Sequence, residues 1–142
     1  MRKPWRKKSK ARASDSEAAV RNILFVAPFL VGSWFGTGQP DDKASMWLIH
    51  QMADGSFHVQ FRTCVKGKDF DEIETGHWQL KGDTETLFVE TVNGRKMAQA
   101  DDYKILWHDG GKQIYRFTGT GFVYTSKRVD ASFSMPSCET IS

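Results

Sequence analysis

The sequence predicts an all-β fold, an antiparallel up-and-down β-barrel of about eight strands. Three observations carry that prediction. Between residues 30 and 130, short runs rich in aromatic and β-branched residues alternate with turns built on Gly, Asp and Asn. Such residues suit pleated surfaces and tight reversals respectively. No stretch in that span has the apolar spacing of a helix, and connections this short force neighbouring strands to run antiparallel. A meander of this length that closes on itself removes its exposed edges. An open half-barrel packed on the N-terminal segment is the alternative architecture.

The 142 residues fit one domain, with three parts expected: a basic tail or degenerate export signal over 1–21, a barrel over 22–135 and a C-terminal tail over 136–142. Ser14 to Val20 can start a short helix from a Ser or Asp cap; otherwise the basic N-terminal segment is disordered. An apolar run leads into Gly32, which lets the chain turn sharply into strand one, placed over 30–37. Trp34 then suits the floor of the barrel, one wide ring plugging the end where the first strand begins.

A hairpin follows, Met46–Met52 and Phe57–Arg62 around Ala53-Asp54-Gly55-Ser56. A two-residue Asp-Gly turn would bury His50 among apolar groups. A three-residue loop with Gly55 left-handed instead groups Trp47, Ile49, Phe57, Val59 and Phe61, with Gln51 the one polar member, and this register is preferred. Beyond the turn at Cys64–Asp69, an acidic strand from Phe70 to Thr75 reaches Gly76, which bends it toward Trp78. Thr86–Val92 is the next strand, and Asn93-Gly94 is a hairpin turn. Residues 95–101 are polar and ambiguous. Tyr103, Ile105 and Trp107 alternate with Lys104, Leu106 and His108 as the following strand. Gln113–Phe117, the Gly119-Thr120-Gly121 turn and Phe122–Val129 complete the series.

Charge is unevenly placed. Seven of the twenty basic residues fall in the first twelve positions, which leaves 13 basic against 17 acidic residues from Ala13 onward, a net of −4. A nucleic-acid-binding body would show a basic stripe, so no specific nucleic-acid partner is expected. The basic head reads as a solvated tail, as the positive region of an export signal whose apolar partner is Ile23–Val31, or as a weak, non-specific contact with an anionic membrane surface or nucleic acid. The cell envelope or periplasm is favoured over the cytoplasm. Cys64 and Cys138 form no Cys-x-x-Cys motif. One bridge tying the tail to the barrel wall, or two unrelated thiols, are both open.

Gly32-Ser33-Trp34 resembles the Gly-x-Trp of the first strand in the lipocalin and wider calycin group. Asp101-Asp102-Tyr103 is similar to the group's Thr-Asp-Tyr segment, with Asp101 in the place of Thr. Lys127-Arg128 lies where a late-strand basic residue packs across that Trp. The resemblance spans residues 30 to 130 in layout and implies a lipocalin-like barrel with Gly32, Trp34 and Arg128 at its floor. A cation over an indole is worth ~1 kcal/mol or more when desolvated. The chain departs from the pattern in being short and in having no helix after the last strand, which leaves room for a narrow barrel with little cavity. The Gly32–Gly38 run is also similar to that of nitrobindin-type haem barrels, which the rest of the chain does not follow.

No serine nucleophile elbow, phosphate loop or Cys–His pairing can be placed, so a non-enzymatic role is expected. The candidate ligand-binding residues are the inward aromatics Trp47, Phe57, Phe61, Trp78, Tyr103, Trp107, Tyr115 and Tyr124, with Gln51 to orient a guest. The expected partner is a small hydrophobic or amphipathic molecule, with no cofactor. In an envelope structural or protein-interaction domain the same rings would fill the barrel. A haem or metal barrel would draw on His50, His58 or His108; His50 and His58 face each other across the hairpin but on its solvated side, and no metal site is assigned. The acidic set Asp69, Asp71, Glu72 and Glu74 reads as a charged edge that discourages strand addition, rather than as paired carboxylates for acid–base work.

Overall fold

A computed structural model of the protein describes residues 28–138. The basic head, the short helix expected from Ser14 to Val20 and most of the apolar run Ile23–Val31 lie outside them. Eight strands follow a single 3₁₀ turn (Pro28–Leu30): β1 (Gly32–Gly36), β2 (Ser45–Gln51), β3 (Ser56–Val65), β4 (Lys68–Lys81), β5 (Thr84–Val92), β6 (Arg95–His108), β7 (Lys112–Phe117) and β8 (Val123–Val129). Each pairs antiparallel with the next, and β8 pairs with β1, so the sheet is a closed up-and-down barrel. The polar run after Asn93-Gly94 belongs to β6. That two-residue turn sets Arg95 opposite Val92 and so makes the following residues the partner of β5 whatever their polarity.

The β2–β3 register is that of the three-residue loop. Trp47 faces Phe61, Ile49 faces Val59 and Gln51 faces Phe57, with Gly55 at φ 92°. Period-two alternation then sends His50 and His58 together to the outside.

One end of the barrel is stoppered. Trp34 is fully buried, and its Nε1 donates to the Leu30 carbonyl at 3.0 Å. The Arg128 guanidinium lies 4.4 Å from the centre of the indole ring. Its three nitrogens donate to three carbonyls, those of Gly110 (2.7 Å), Val31 (2.6 Å) and Phe29 (2.7 Å). Gly32 is required beneath it: φ is 131°, and a Cβ there would collide with Arg128 Nη1. One planar fork thus ties together the first turn, β8 and the β6–β7 turn.

A second apolar cluster lies outside the wall, where Phe35, Met46 and Leu48 turn outward from β1 and β2. In place of a helix, the segment after β8 covers it, packing Phe133 and Met135 there. Cys64 and Cys138 are bridged. Arg62 donates to the Pro136 carbonyl (2.9 Å), and the Cys138 amide donates to Asp69 (3.0 Å).

One sequence expectation is corrected by the barrel, and a second in part. Trp107 is not inward. The β6–β7 register shifts between Ile105 and Trp107, so the extra residue reverses the alternation and leaves Trp107 46% exposed, under Lys112. The acidic set is split: β5 joins β4 only from Glu74↔Val92 onward, so Asp69, Asp71 and Glu72 stand on a length of β4 laddered to β3 alone, as a charged edge would, while Glu74 is paired on both sides. Asp71 turns outward and is gripped by Arg62, with Asp69 beside the same guanidinium, while Glu72 and Glu74 turn inward.

Candidate functional site

Above the Trp34 stopper the barrel encloses a cavity of about 400 Å³. Its rings come mainly from β2, β6, β7 and β8, whose inward positions alternate with solvated ones. Trp47 meets Tyr124 edge-on with 5.3 Å between ring centres, and Tyr103 meets Tyr115 in the same way at 5.6 Å. Trp47, Gln51, Phe61, Tyr103, Tyr115 and Tyr124 from the sequence reading all line the cavity. Phe57 and Trp78 are buried in the packed core and do not line it; Trp78 Nε1 donates to the Met52 carbonyl at 3.1 Å. Trp107 takes no part. At the mouth the Tyr124 hydroxyl donates to Asp42 at 3.2 Å, tying β8 to the β1–β2 loop.

Carboxyls are what the sequence reading missed. Glu72 and Glu74 from β4, Glu85 from β5 and Asp101 from β6 all face the cavity, and no Lys, Arg or His is among its described lining residues. The signal was present in the alternation, since Glu72 and Glu74 share parity with Trp78, Glu85 with Leu87, and Asp101 with Tyr103. Gln99 donates to both oxygens of Asp101, at 2.9 and 3.0 Å. Glu85 is buried and accepts from Gln51 Nε2.

These surroundings favour the protonated carboxyl. Burial pushes Glu85 up to about 7, against the opposing effect of the Gln51 hydrogen bond. Burial, a hydrogen bond shared with Glu72 and the charges of Glu72 and Asp101 push Glu74 up to about 7. The Tyr103 and Tyr115 phenols are held well above their ordinary range, chiefly by burial and then by the neighbouring acids. Among the described residues the buried Gln113 Oε1 has no hydrogen-bond partner, and Gln113 lines the cavity.

A carboxyl whose folded-state pKa lies above its unfolded one contributes stability in full below the unfolded value and loses it as pH rises through the folded value. For Glu85 these values are 4.5 and about 7, so its ionisation removes roughly 3 kcal/mol between mildly acidic and mildly alkaline pH. Glu85→Gln keeps the shape and the acceptor for Gln51. Urea unfolding should find the variant close to wild type at about pH 4, and more stable by roughly that amount at about pH 9. Parallel profiles for the two proteins would show that Glu85 ionises as freely in the fold as in the unfolded chain.

The histidines lie elsewhere. His50 and His58 sit outside the wall with ring centres 6.3 Å apart, and His50 Nδ1 lies 2.6 Å from Ser33 Oγ. Burial, with His58 opposite, holds His50 below the ordinary imidazole range. His77 pairs with Glu90 at 3.1 Å on the surface, and His108 stacks on Phe29 at the rim. Among the described residues no group of three or more His, Cys, Asp or Glu is placed to hold a metal.

Comparisons with protein-family models, with curated proteins and with solved structures find no match to this chain. The class of protein therefore rests on what fold and cavity define together: a closed eight-stranded antiparallel barrel, stoppered at one end and hollow above the stopper.

Proposed function

We propose that the protein is a non-enzymatic small-molecule-binding module, a lipocalin-like carrier that holds an amphipathic guest in its barrel. The observation that carries this reading is the void. An interior so rich in rings could have filled itself, yet about 400 Å³ stays open, within the range of small-ligand sites. Apolar faces with a few converging polar groups are what such a site needs, and Gln51, Gln113 and the tyrosine hydroxyls supply them. The indole stopper with a guanidinium across it supports kinship with the calycins. The Cys64–Cys138 bridge supports an oxidising compartment, the cell envelope or periplasm. The basic head would add only weak contact with an anionic membrane surface.

The test is binding of an environment-sensitive apolar dye. The dye should brighten, quench tryptophan emission through Trp47, and be displaced by competing amphiphiles. Absence of binding across a broad panel of apolar and amphipathic probes would overturn the carrier reading in favour of a scaffold. That second reading, an envelope structural or protein-interaction domain, draws on Leu106 and Trp107, which are 41% and 46% exposed side by side on the outer wall. The haem or metal reading finds no histidine facing the cavity.

A further inference from the structure

We infer that the guest is an uncharged amphiphile bound head first: a hydroxyl or amide N–H donor carried to the closed end of the cavity, on an apolar body held among the rings above. The inference rests on the carrier reading and names the ligand class and the direction of entry. The strands sort the lining by depth. Gln51 is the last residue of β2 and pairs with Gly32, where β1 begins beside the Trp34 stopper. Neighbours run antiparallel all round the barrel, so β5 and β7 also begin at the stopper end. Glu85 and Gln113 are the second residues of those strands, and Ser126 stands opposite Gln113 on β8. All four line the cavity, and none is more than 7% exposed. Trp47, Tyr115 and Tyr124 lie further along the same strands toward the mouth.

A polar floor beneath a ring-lined shaft suits a polar head at the bottom. Glu85 and Gln51 already satisfy each other, whereas Gln113 Oε1 accepts no hydrogen bond. A buried acceptor costs free energy until a donor reaches it, and a guest's O–H or N–H supplies one. Charge is disfavoured at this depth, because a buried charged head loses its hydration. Glu85 keeps its proton at mildly acidic pH, burial having pushed it up to about 7, so it offers an ammonium no opposite charge. Once ionised it repels a carboxylate. The exposed Glu72 and Asp101, which Gln99 holds, stand nearer the mouth than the floor. A neutral donor therefore meets neither cost.

The test uses four probes with one body: 2-(1-naphthyl)ethanol, its methyl ether, 1-naphthylacetic acid and 2-(1-naphthyl)ethylamine, titrated by calorimetry at mildly acidic pH. The alcohol should bind at least about fivefold more tightly than the ether, the effect of one net hydrogen bond. Both charged probes should bind more weakly than the alcohol. In Gln113→Leu, and equally in Gln113→Met, the alcohol-to-ether ratio should fall toward one while the ether keeps its affinity, which also shows that the variant barrel is folded. An ether that binds as tightly as the alcohol, a charged probe that binds more tightly, an alcohol that fails where the apolar dye binds, or a ratio that survives both substitutions overturns this inference and leaves the carrier reading standing. If neither the dye nor any of the four probes binds, the carrier reading itself fails and this inference goes with it.

Discussion

Arg128→Met is expected to destabilise the barrel by about 3 kcal/mol or more, the effect of removing a charged donor from several acceptors at once. The guanidinium satisfies the carbonyls of Phe29, Val31 and Gly110 while lying flat on Trp34. Those carbonyls belong to the chain entering β1 and to the β6–β7 turn, elements that no strand ladder joins directly. Met restores most of the apolar volume but none of the donors. Water can reach the Gly110 side more readily than the face turned toward the indole, so the loss is less than the sum of three charged hydrogen bonds. Arg128→Lys should recover less than half, because one ammonium cannot span three carbonyls in a planar fork. Urea unfolding followed by tryptophan emission reads both variants. A change below about 1 kcal/mol for Arg128→Met would mean that the floor holds without its clamp. Gly32→Ala should fail in the same experiment for a complementary reason, because the new methyl occupies the place of Arg128 Nη1 on a backbone at φ 131°.

What the sequence made legible is what strict alternation and tight turns control. Gly55 and the apolar faces of Met46–Met52 and Phe57–Arg62 leave one satisfactory register, and the barrel adopts it. Gly32-Ser33-Trp34 and Arg128 meet as the floor because the β1–β8 pairing that closes the barrel sets Trp34 opposite Arg128. Trp107 was illegible because a single extra residue, inserted after Ile105, reverses the parity of everything beyond it, and nothing in Leu106 announces the bulge. The carboxyls of the cavity failed for another reason. Carboxylates are rarely buried, so a cluster of them reads as solvated surface even where the count from Trp78 back through Gly76 to Glu74 and Glu72 runs inward. Departures from the hydrophobic pattern concentrate where a protein trades stability for a site. Here Glu74 and Glu85 are such departures, held near neutrality by their own surroundings.

Opening the Cys64–Cys138 bridge, by reduction or by the double change to Ala, is expected to lower stability by about 4 kcal/mol. The two cysteines are 74 residues apart in sequence, and closing so long a loop restricts the unfolded chain strongly. The folded state loses something as well. Phe133 packs on Phe35 at 4.9 Å between ring centres, over the outward apolar cluster of β1 and β2. Without the bridge, that cover depends on Arg62 holding the Pro136 carbonyl and Asp69 holding the Cys138 amide, polar contacts near the surface that are individually weak. For a domain of this size the midpoint should fall by roughly 10–20 °C, measured by calorimetry with and without reductant. Phe35, Met46 and Leu48 would then face water, and an apolar dye would find a second, lower-affinity place to bind. The cavity lies on the other side of the same wall. Dye bound inside should therefore keep its affinity at temperatures well below the new midpoint, with the uncovered outer cluster adding a second, weaker site. Equal midpoints for reduced and oxidised protein would mean that packing alone seals the tail.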